Sequence, residues 1–386
     1  MKELLKKEPV TIISLILAII SAFFVLPDSQ YISYIDFRTL SILLCLMLVM
    51  AGLRKEGVFK YIGERLLERT TTKRGLASVL IMLCFFFSML ITNDVALISF
   101  VPFSIEIINM MDDKEGEKKS SFAIKLIVLE TIAANLGSML TPIGNPQNLY
   151  LYSLSGMSIG SFIGLMLPYS LSSLIILVIC SIVMFPARKG QADETVAKPD
   201  GKSDETGKKS FSQKIIIGYL VMFALSLLVV VHILPYWAVL IATILGVLVI
   251  DKNTIKDADY FLLLTFIFLF IFVGNIKRIS PVKDALLSIL GGREVITSIV
   301  ASQFISNVPA AILLSGMTDK LKLLVIGTNL GGLGTLIASM ASLISFKFYG
   351  QMEGSKKGKY VAVFSVLNIA FLIILIGIYL LISCLA

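Results

Sequence analysis

The sequence predicts an all-α integral membrane protein, and three observations lead to this prediction. Apolar residues make up 56% of the 386 residues and charged residues only 16%, whereas a soluble domain has roughly 45–50% and about 25%. The apolar residues form long runs, and a helix needs about 20 of them to cross the hydrocarbon core. Most of the 34 lysines and arginines lie in the short loops between runs, which indicates membrane topology rather than nucleic-acid binding.

The predicted membrane elements follow one another along the whole chain. The apolar runs occupy residues 10–27, 37–53, 75–109, 122–158, 162–186, 213–234, 236–250, 260–275, 293–317, 320–349 and 358–384. The first run is expected to be a retained span, because no small-residue cleavage site follows it.

The short segment 57–69 differs from the runs because it is amphipathic. A helix there is expected to lie flat in the membrane interface. The apolar side chains predicted to share one face are Val58, Phe59, Ile62, Leu66 and Leu67.

Four of the runs are interrupted near their middle by polar, glycine or proline residues. Runs 75–109 and 293–317 are expected to form re-entrant hairpins, which enter and leave the membrane on one side. Runs 122–158 and 320–349 are expected to be broken transmembrane helices, because each is too long for one straight crossing.

The charged segment 187–212 is expected to be a flexible linker between a first membrane repeat, 1–186, and a second, 213–386. If the N-terminus and this linker are cytoplasmic, the loops rich in lysine and arginine fall on the inside. The predicted location is therefore the plasma (inner) membrane, with many spans. The extra span 213–234 makes the second repeat run in the opposite sense to the first.

The two halves contain matching interruptions in the same order. ITNDVALISFVPF (91–103) matches ISNVPAAILLSGM (305–317), and NLGSMLTPIGNPQN (135–148) matches NLGGLGTLIASMAS (329–342). A backbone N–H or C=O group without a hydrogen bond costs several kcal/mol inside the hydrocarbon core, unless protein, water or a ligand supplies the partner. Paired breaks of this kind are typical of inverted-repeat secondary transporters; the alternative is a set of glycine-mediated helix contacts and kinks.

At these residues the chain resembles the ion transporter superfamily, which includes citrate transporters, divalent-anion/sodium symporters, arsenite permeases and sodium/proton antiporters. The resemblance implies sodium sites at the hairpin tips near Asn93 and Asn307, flanking a small anionic substrate, and a homodimer. The residue after the tip asparagine is Asp94 in one half and Val308 in the other, where the symporter branch has threonine. An Asn-Asp tip is nearer to the arsenite-permease branch.

The candidate binding residues are polar residues and glycines at the four interruptions. They are Thr92, Asn93, Asp94, Asn135, Thr141, Gly144, Asn145, Gln147, Asn148, Ser306, Asn307, Thr328, Asn329 and Thr335.

Two acidic residues within the runs, Asp94 and Glu130, are candidates for coupling transport to a cation, because an acidic group inside a membrane is costly. The alternative for Asp94 is an N-cap on a helix beginning at Val95. The alternative for Glu130 is a pair with Lys125 or another buried donor. Asn275 is expected at the outer membrane interface.

The predicted function is cation-coupled transport of a small anion, such as a di- or tricarboxylate, with Na⁺ or H⁺ as the coupling ion and no other cofactor. Efflux of arsenite or another oxyanion and sodium/proton exchange are the first alternatives. A channel-like or structural membrane subunit is the second. An enzyme is not expected, since the chain has one histidine, His232, and no nucleotide-binding motif.

Overall fold

The computed structural model describes residues 9–67, 70, 72–110, 116–186 and 213–385. Within these ranges every regular element is a helix, and eight helices are long and apolar enough to cross a membrane. The prediction of an all-α membrane protein is confirmed. The N-terminal residues 1–8 and the linker 187–212 lie outside the described residues, so their cytoplasmic location stays a prediction.

Each predicted run corresponds to one or two helices of the described ranges, and three further helices lie between the runs. In chain order the helices are α1 (Pro9–Phe24), α2 (Gln30–Tyr34), α3 (Phe37–Lys55), α4 (Val58–Leu67), α5 (Lys73–Ile91), α6 (Asn93–Asn109), α7 (Gly116–Ser138), α8 (Pro146–Ser155), α9 (Ile159–Met184), α10 (Gln213–Val230), α11 (Tyr236–Asp251), α12 (Tyr260–Arg278), α13 (Ser280–Leu290), α14 (Glu294–Ile305), α15 (Asn307–Ser315), α16 (Leu321–Leu330), α17 (Met340–Gln351) and α18 (Lys357–Leu385). Two 3₁₀ turns lie at Lys252–Asp257 and Leu336–Ala338.

The chain forms two compact units, each assembled from three segments. The first unit consists of Met1–Gly52, Pro146–Ile159 and Lys214–Gly332, and the second of Leu53–Asn145, Gly160–Gln213 and Leu333–Ala386. Each unit therefore contains one hairpin and the first half of the broken helix that follows that hairpin. Each also contains the second half of the broken helix that belongs to the other repeat. The repeat boundaries 1–186 and 213–386 stay a prediction about topology.

In the first unit, polar contacts join α1 and α2 to α12. Thr11 and Thr265 hydroxyls lie 2.8 Å apart, and the Asn275 amide donates to the Ser21 hydroxyl at 3.0 Å and to the Tyr31 hydroxyl at 2.9 Å. Asn275 is 0% exposed, and its place at the outer membrane interface stays a prediction. The amide can be buried because two hydroxyl oxygens, more than 240 residues away in sequence, accept hydrogen bonds from it.

In the second unit, α4 packs on the hairpin helices through Phe59, whose ring makes edge contacts with Phe87 and Phe100. The predicted amphipathic helix is confirmed, but its buried face is different. Phe59, Gly63 and Leu67 are buried, whereas Leu66 is 44% exposed. Residues four apart lie above one another on a helix, and the glycine between the two apolar residues lets the neighbouring hairpin approach.

Both hairpins turn at one residue with an unusual backbone. Thr92 separates α5 from α6 with φ 72° and ψ 149°, and Ser306 separates α14 from α15 with φ 72° and ψ 155°. This region is populated almost only by glycine, and other residues held there store about 1–3 kcal/mol. The same strained conformation at two sequence-matched positions supports the repeat. Entry and exit on one side of the membrane stay a prediction.

The two predicted broken helices are interrupted as expected. α7 ends at Ser138 and α8 begins at Pro146, while α16 ends at Leu330 and α17 begins at Met340. Pro146 suits the first helical position, because its missing N–H has no partner there in any helix. The residues between the half-helices, 139–145 and 331–339, carry the open backbone.

Replacing the tip residue Ser306 by glycine is expected to stabilise the protein relative to Ser306→Ala. Both variants lose the same hydroxyl, so their difference reports the backbone alone. Glycine relieves about 1–3 kcal/mol of strain and costs about 0.5–1 kcal/mol in unfolded-state entropy. Thermal unfolding in detergent should show the glycine variant more stable by about 1 kcal/mol. Equal stability of the two variants would show that the tip is unstrained.

Candidate functional site

A buried cluster in the second unit is centred on the side-chain amide of Asn135. Its Oδ1 accepts hydrogen bonds from the Asn93 amide at 3.1 Å and the Ser339 hydroxyl at 3.0 Å, and its Nδ2 donates to the Ser342 hydroxyl at 3.4 Å. One amide therefore joins the first hairpin tip, the end of α7 and the start of α17. We call these four residues the Asn135 cluster.

The loop between α7 and α8 is held against the same hairpin tip. The Asn93 N–H donates to the Gly144 carbonyl at 2.9 Å, and the Thr141 hydroxyl donates to the Met89 carbonyl at 2.5 Å. The Asn145 amide donates to the Ser138 hydroxyl at 3.2 Å. The first two bonds satisfy backbone groups near the interruptions, as burial in an apolar environment requires.

Asp94 lies half-buried in the first turn of α6, but it does not cap the helix. The helix begins at Asn93, and the N-cap is Thr92, whose hydroxyl accepts the Val95 N–H at 3.4 Å. The predicted alternative of Asp94 as an N-cap is therefore wrong, because the threonine at the turn supplies the capping oxygen. A carboxylate in this first turn is favoured by the partial positive charge of the helix N-terminus.

Glu130 is 0% exposed and lies on α7, five residues before Asn135. The Ser104 hydroxyl of α6 donates to its Oε1 at 2.5 Å. No ion pair of Glu130 occurs among the described residues, so Lys125 is not its partner. The sequence left two structural partners open for Glu130, Lys125 or another buried donor. The structure shows a buried donor, the Ser104 hydroxyl on α6.

A second cluster, in the first unit, is centred on Asn329. Its Nδ2 donates to Asn148 Oδ1 at 2.6 Å and to the Val325 carbonyl at 2.7 Å. At the neighbouring tip, the Ser306 hydroxyl donates to Asn307 Oδ1 at 3.4 Å, and a Cβ added to Gly332 would lie 3.0 Å from Asn307 Nδ2. We call Asn148, Asn307 and Asn329 the Asn329 cluster.

The two clusters are built from sequence-matched positions. Asn135 aligns with Asn329, and Ser342 aligns with Asn148 in the matched segments 135–148 and 329–342. Asn135 donates to Ser342, which lies thirteen positions after Asn329. Asn329 donates to Asn148, which lies thirteen positions after Asn135. The same contact is therefore made twice, with a hydroxyl acceptor in one unit and an amide acceptor in the other.

Four serines belong to these sites although they were not among the candidates. Ser339 and Ser342 contact Asn135, and the alignment places them opposite Asn145 and Asn148, a signal that identifies them. Ser88 and Ser302 each stand four residues before a tip and are fully buried. Each faces the glycine of a repeated NLG triplet, since a Cβ on Gly137 or Gly331 would lie 2.6 Å from the nearest serine Oγ.

Three further candidates, Thr328, Thr335 and Gln147, have different surroundings. The Thr328 hydroxyl donates to the Leu324 carbonyl of its own helix at 2.7 Å, and Thr335 is exposed. Gln147 is buried, and its side chain makes no hydrogen bond to the part of the chain that the structure describes. In those same ranges, no group of three or more His, Cys, Asp or Glu residues could hold a metal ion.

Comparison with known proteins identifies relatives over most of the chain. The profile of a citrate transporter family (CitMHS) matches residues 4–322. Inner membrane protein YbiR of Escherichia coli is 30% identical over 316 residues, 81% of this chain and 80% of that protein. Uncharacterized transporter MJ0456 of Methanocaldococcus jannaschii is 32% identical over 345 residues, 89% of each chain. Silicon efflux transporter LSI3 of Oryza sativa is 32% identical over 158 residues, 41% of this chain and 31% of that one.

Proposed function

Since the chain belongs to the citrate transporter family and is a membrane transporter rather than an enzyme, we propose that it carries a small carboxylate anion coupled to a cation. The coupling ion is Na⁺ or H⁺. The proposal includes a homodimer in the plasma (inner) membrane, with the N-terminus and the linker 187–212 in the cytoplasm.

The observation that carries this proposal is the pair of buried, amide-centred clusters at interrupted helices. Helices α6 and α15 begin at the cluster residues Asn93 and Asn307, and helix N-termini favour negative charge. The side chains of both clusters are amides and hydroxyls, which donate to carboxylate oxygens without placing a permanent charge in the membrane. Neither cluster as defined contains a lysine or arginine, so the anion would be held by dipoles and by a co-transported cation.

The cation has candidate sites at the hairpin tips. The resemblance noted above implies Na⁺ sites near Asn93 and Asn307, which adjoin the strained turns at Thr92 and Ser306. Asp94, in the first turn after the first tip, supplies the negative charge that the second tip lacks, since Val308 stands in the matching position. We propose that the first tip contributes more to cation coupling than the second.

Efflux of an oxyanion is the second candidate function. Two observations favour it: the Asn-Asp tip, and the similarity of part of the chain to a protein named a silicon efflux transporter. Sodium/proton exchange would use the same acidic residues without an anion. A channel-like or structural subunit is disfavoured, because it has no need for two matched polar clusters.

The direct test is uptake into proteoliposomes of the full chain. Labelled citrate, succinate, sulfate and arsenite are offered under separate Na⁺ and H⁺ gradients. The expected result is accumulation of a carboxylate above its equilibrium level under one of the two gradients. Flux that ignores both gradients removes the coupling, and accumulation of arsenite alone favours the oxyanion function.

The tip carboxylate is tested in the same assay with Asp94→Asn. The substitution keeps the shape and removes the charge, so gradient-driven accumulation should fall by about tenfold or more, within the usual range of coupling energies. Glu106→Gln is the matched control on the same helix, because Glu106 is half-exposed and pairs with Lys60 at 3.4 Å. Undiminished coupling in Asp94→Asn would exclude Asp94 from the mechanism.

A further inference from the structure

Glu130 is a buried acid with too few partners for an ionised carboxylate. An ionised carboxylate presents about four acceptor sites on its two oxygens. In the described part of the chain, Oε1 accepts one hydrogen bond, from Ser104, and Oε2 is buried without a hydrogen-bond partner. A charge buried with a single hydroxyl donor is strongly disfavoured, so this arrangement suits the neutral, protonated acid.

Among the described residues, the groups that face Glu130 supply no positive charge. Cys84 of α5 and Tyr360 of α18 are its titratable neighbours, α6 presents the Ser104 hydroxyl, and Tyr349 of α17 stacks on Tyr360 with ring centroids 4.7 Å apart. Thiol and phenol groups are ordinarily neutral at pH 7. Lys125, on the same helix, makes no ion pair with Glu130.

The Glu130–Ser104 bond lies between the elements that form the Asn135 cluster. Ser104 is on α6, which begins at the tip residue Asn93, and Glu130 is on α7, which carries Asn135. Loss of the proton would leave a charge facing neutral neighbours and would favour separation or hydration of this contact. The protonation state of one carboxyl group therefore biases the docking of the hairpin on α7.

We propose that Glu130 binds and releases the coupling proton of transport, an inference that rests on the proposed function. Oε2 takes one proton from the water on one side of the membrane when the contact is open, holds it while the hairpin is docked, and returns it to the water on the other side when the contact opens again. Each cycle thus moves one proton with no net change in the protein. Low pH favours the docked hairpin, and high pH favours its release.

The proton is detected without any substrate by infrared difference spectroscopy on the reconstituted full chain. At neutral pH the wild-type protein should show the C=O stretching band of a protonated carboxyl that Glu130→Gln lacks and Glu106→Gln retains. The band should disappear as pH is raised. A band that is unchanged in Glu130→Gln, or that Na⁺ removes at constant pH, would overturn the proposal.

A second variant keeps the test decisive if Glu130→Gln does not fold. Ser104→Ala leaves the acid in place and removes its only hydrogen-bond donor in the described structure, so the same band should shift in frequency. An unshifted band would show that it arises from another carboxyl group, which would also overturn the assignment to Glu130.

Transport assays separate this inference from the proposed function. With labelled citrate, Glu130→Gln should lose accumulation driven by a proton gradient by at least about tenfold, while citrate/citrate exchange stays near the wild-type rate. Equal loss in Glu106→Gln, or full proton-driven accumulation in Glu130→Gln, would contradict the role. If wild-type protein moves no citrate at all, the proposed substrate class fails and the infrared result still decides whether Glu130 holds a proton.

Discussion

Replacing Asn135 by leucine is expected to reduce transport by about 100-fold or more. The substitution removes the acceptor of Asn93 and Ser339 and the donor to Ser342, and each buried polar group left without a partner costs about 1–3 kcal/mol. The hairpin tip, the end of α7 and the start of α17 would then no longer share one hydrogen-bonding centre. The measurement is initial uptake per amount of folded protein in proteoliposomes.

Asn368→Leu is the matched control for this prediction. Asn368 is also a fully buried asparagine in a membrane helix, but its amide donates to the Phe364 carbonyl of its own helix at 2.9 Å. Its replacement should leave uptake within about threefold of wild type, since one helix-internal bond is worth about 0.5–1.5 kcal/mol. Equal losses in both variants would mean that Asn135 serves stability and not the site. Asn329→Leu should reproduce the Asn135 effect if the two clusters are equivalent.

Adding one methyl group to Gly137 is expected to destabilise the second unit by about 3 kcal/mol or more, at the upper end for overpacked sites. A Cβ there would lie 2.0 Å from the Phe85 carbonyl oxygen and 2.6 Å from Ser88 Oγ. Backbone of α5 would have to move, because no side-chain rotation relieves the contact with a carbonyl. Thermal unfolding of Gly137→Ala in detergent measures the effect.

The matching glycine of the other repeat should tolerate alanine better. A Cβ on Gly331 would meet the Ser302 side chain at 2.6 Å and the Gly327 carbonyl oxygen at 2.9 Å, so part of the clash is with a side chain. Ser302→Gly should therefore partly rescue Gly331→Ala, whereas Ser88→Gly should not rescue Gly137→Ala. Gly164→Ala, where nothing lies within 4 Å of the added methyl, is the control and should be neutral or slightly stabilising. Equal destabilisation at positions 137 and 164 would contradict the packing argument.

The interruptions were predictable from the sequence because they follow from a local rule. Hydrocarbon does not tolerate open backbone, so polar, glycine and proline residues in the middle of long apolar runs indicate breaks. The structure places these breaks at Thr92, at Ser306, and at residues 139–145 and 331–339. The matched order of the breaks was also sufficient to indicate the family.

The partners within the clusters were not predictable in the same way. Asn135 contacts Ser339 and Ser342, which lie more than 200 residues away, and Glu130 is bonded to Ser104 instead of Lys125 on its own helix. Asn275, at the end of an apolar run, is buried and donates to the hydroxyl groups of Ser21 and Tyr31. For each of these side chains, several polar residues could have served as the hydrogen-bond partner. The fold brings only some of them within hydrogen-bonding distance.

The sequence by itself determined the class of protein, the places where the helices break and the matched order of those breaks, because burial in a membrane penalises each exposed backbone group whatever its neighbours are. Only the tertiary structure decided which side chains satisfy those groups and which acid lacks a counter-charge. Those choices depend on distances of about 3 Å between segments that are remote in sequence, and hydrogen bonds weaken steeply beyond such distances.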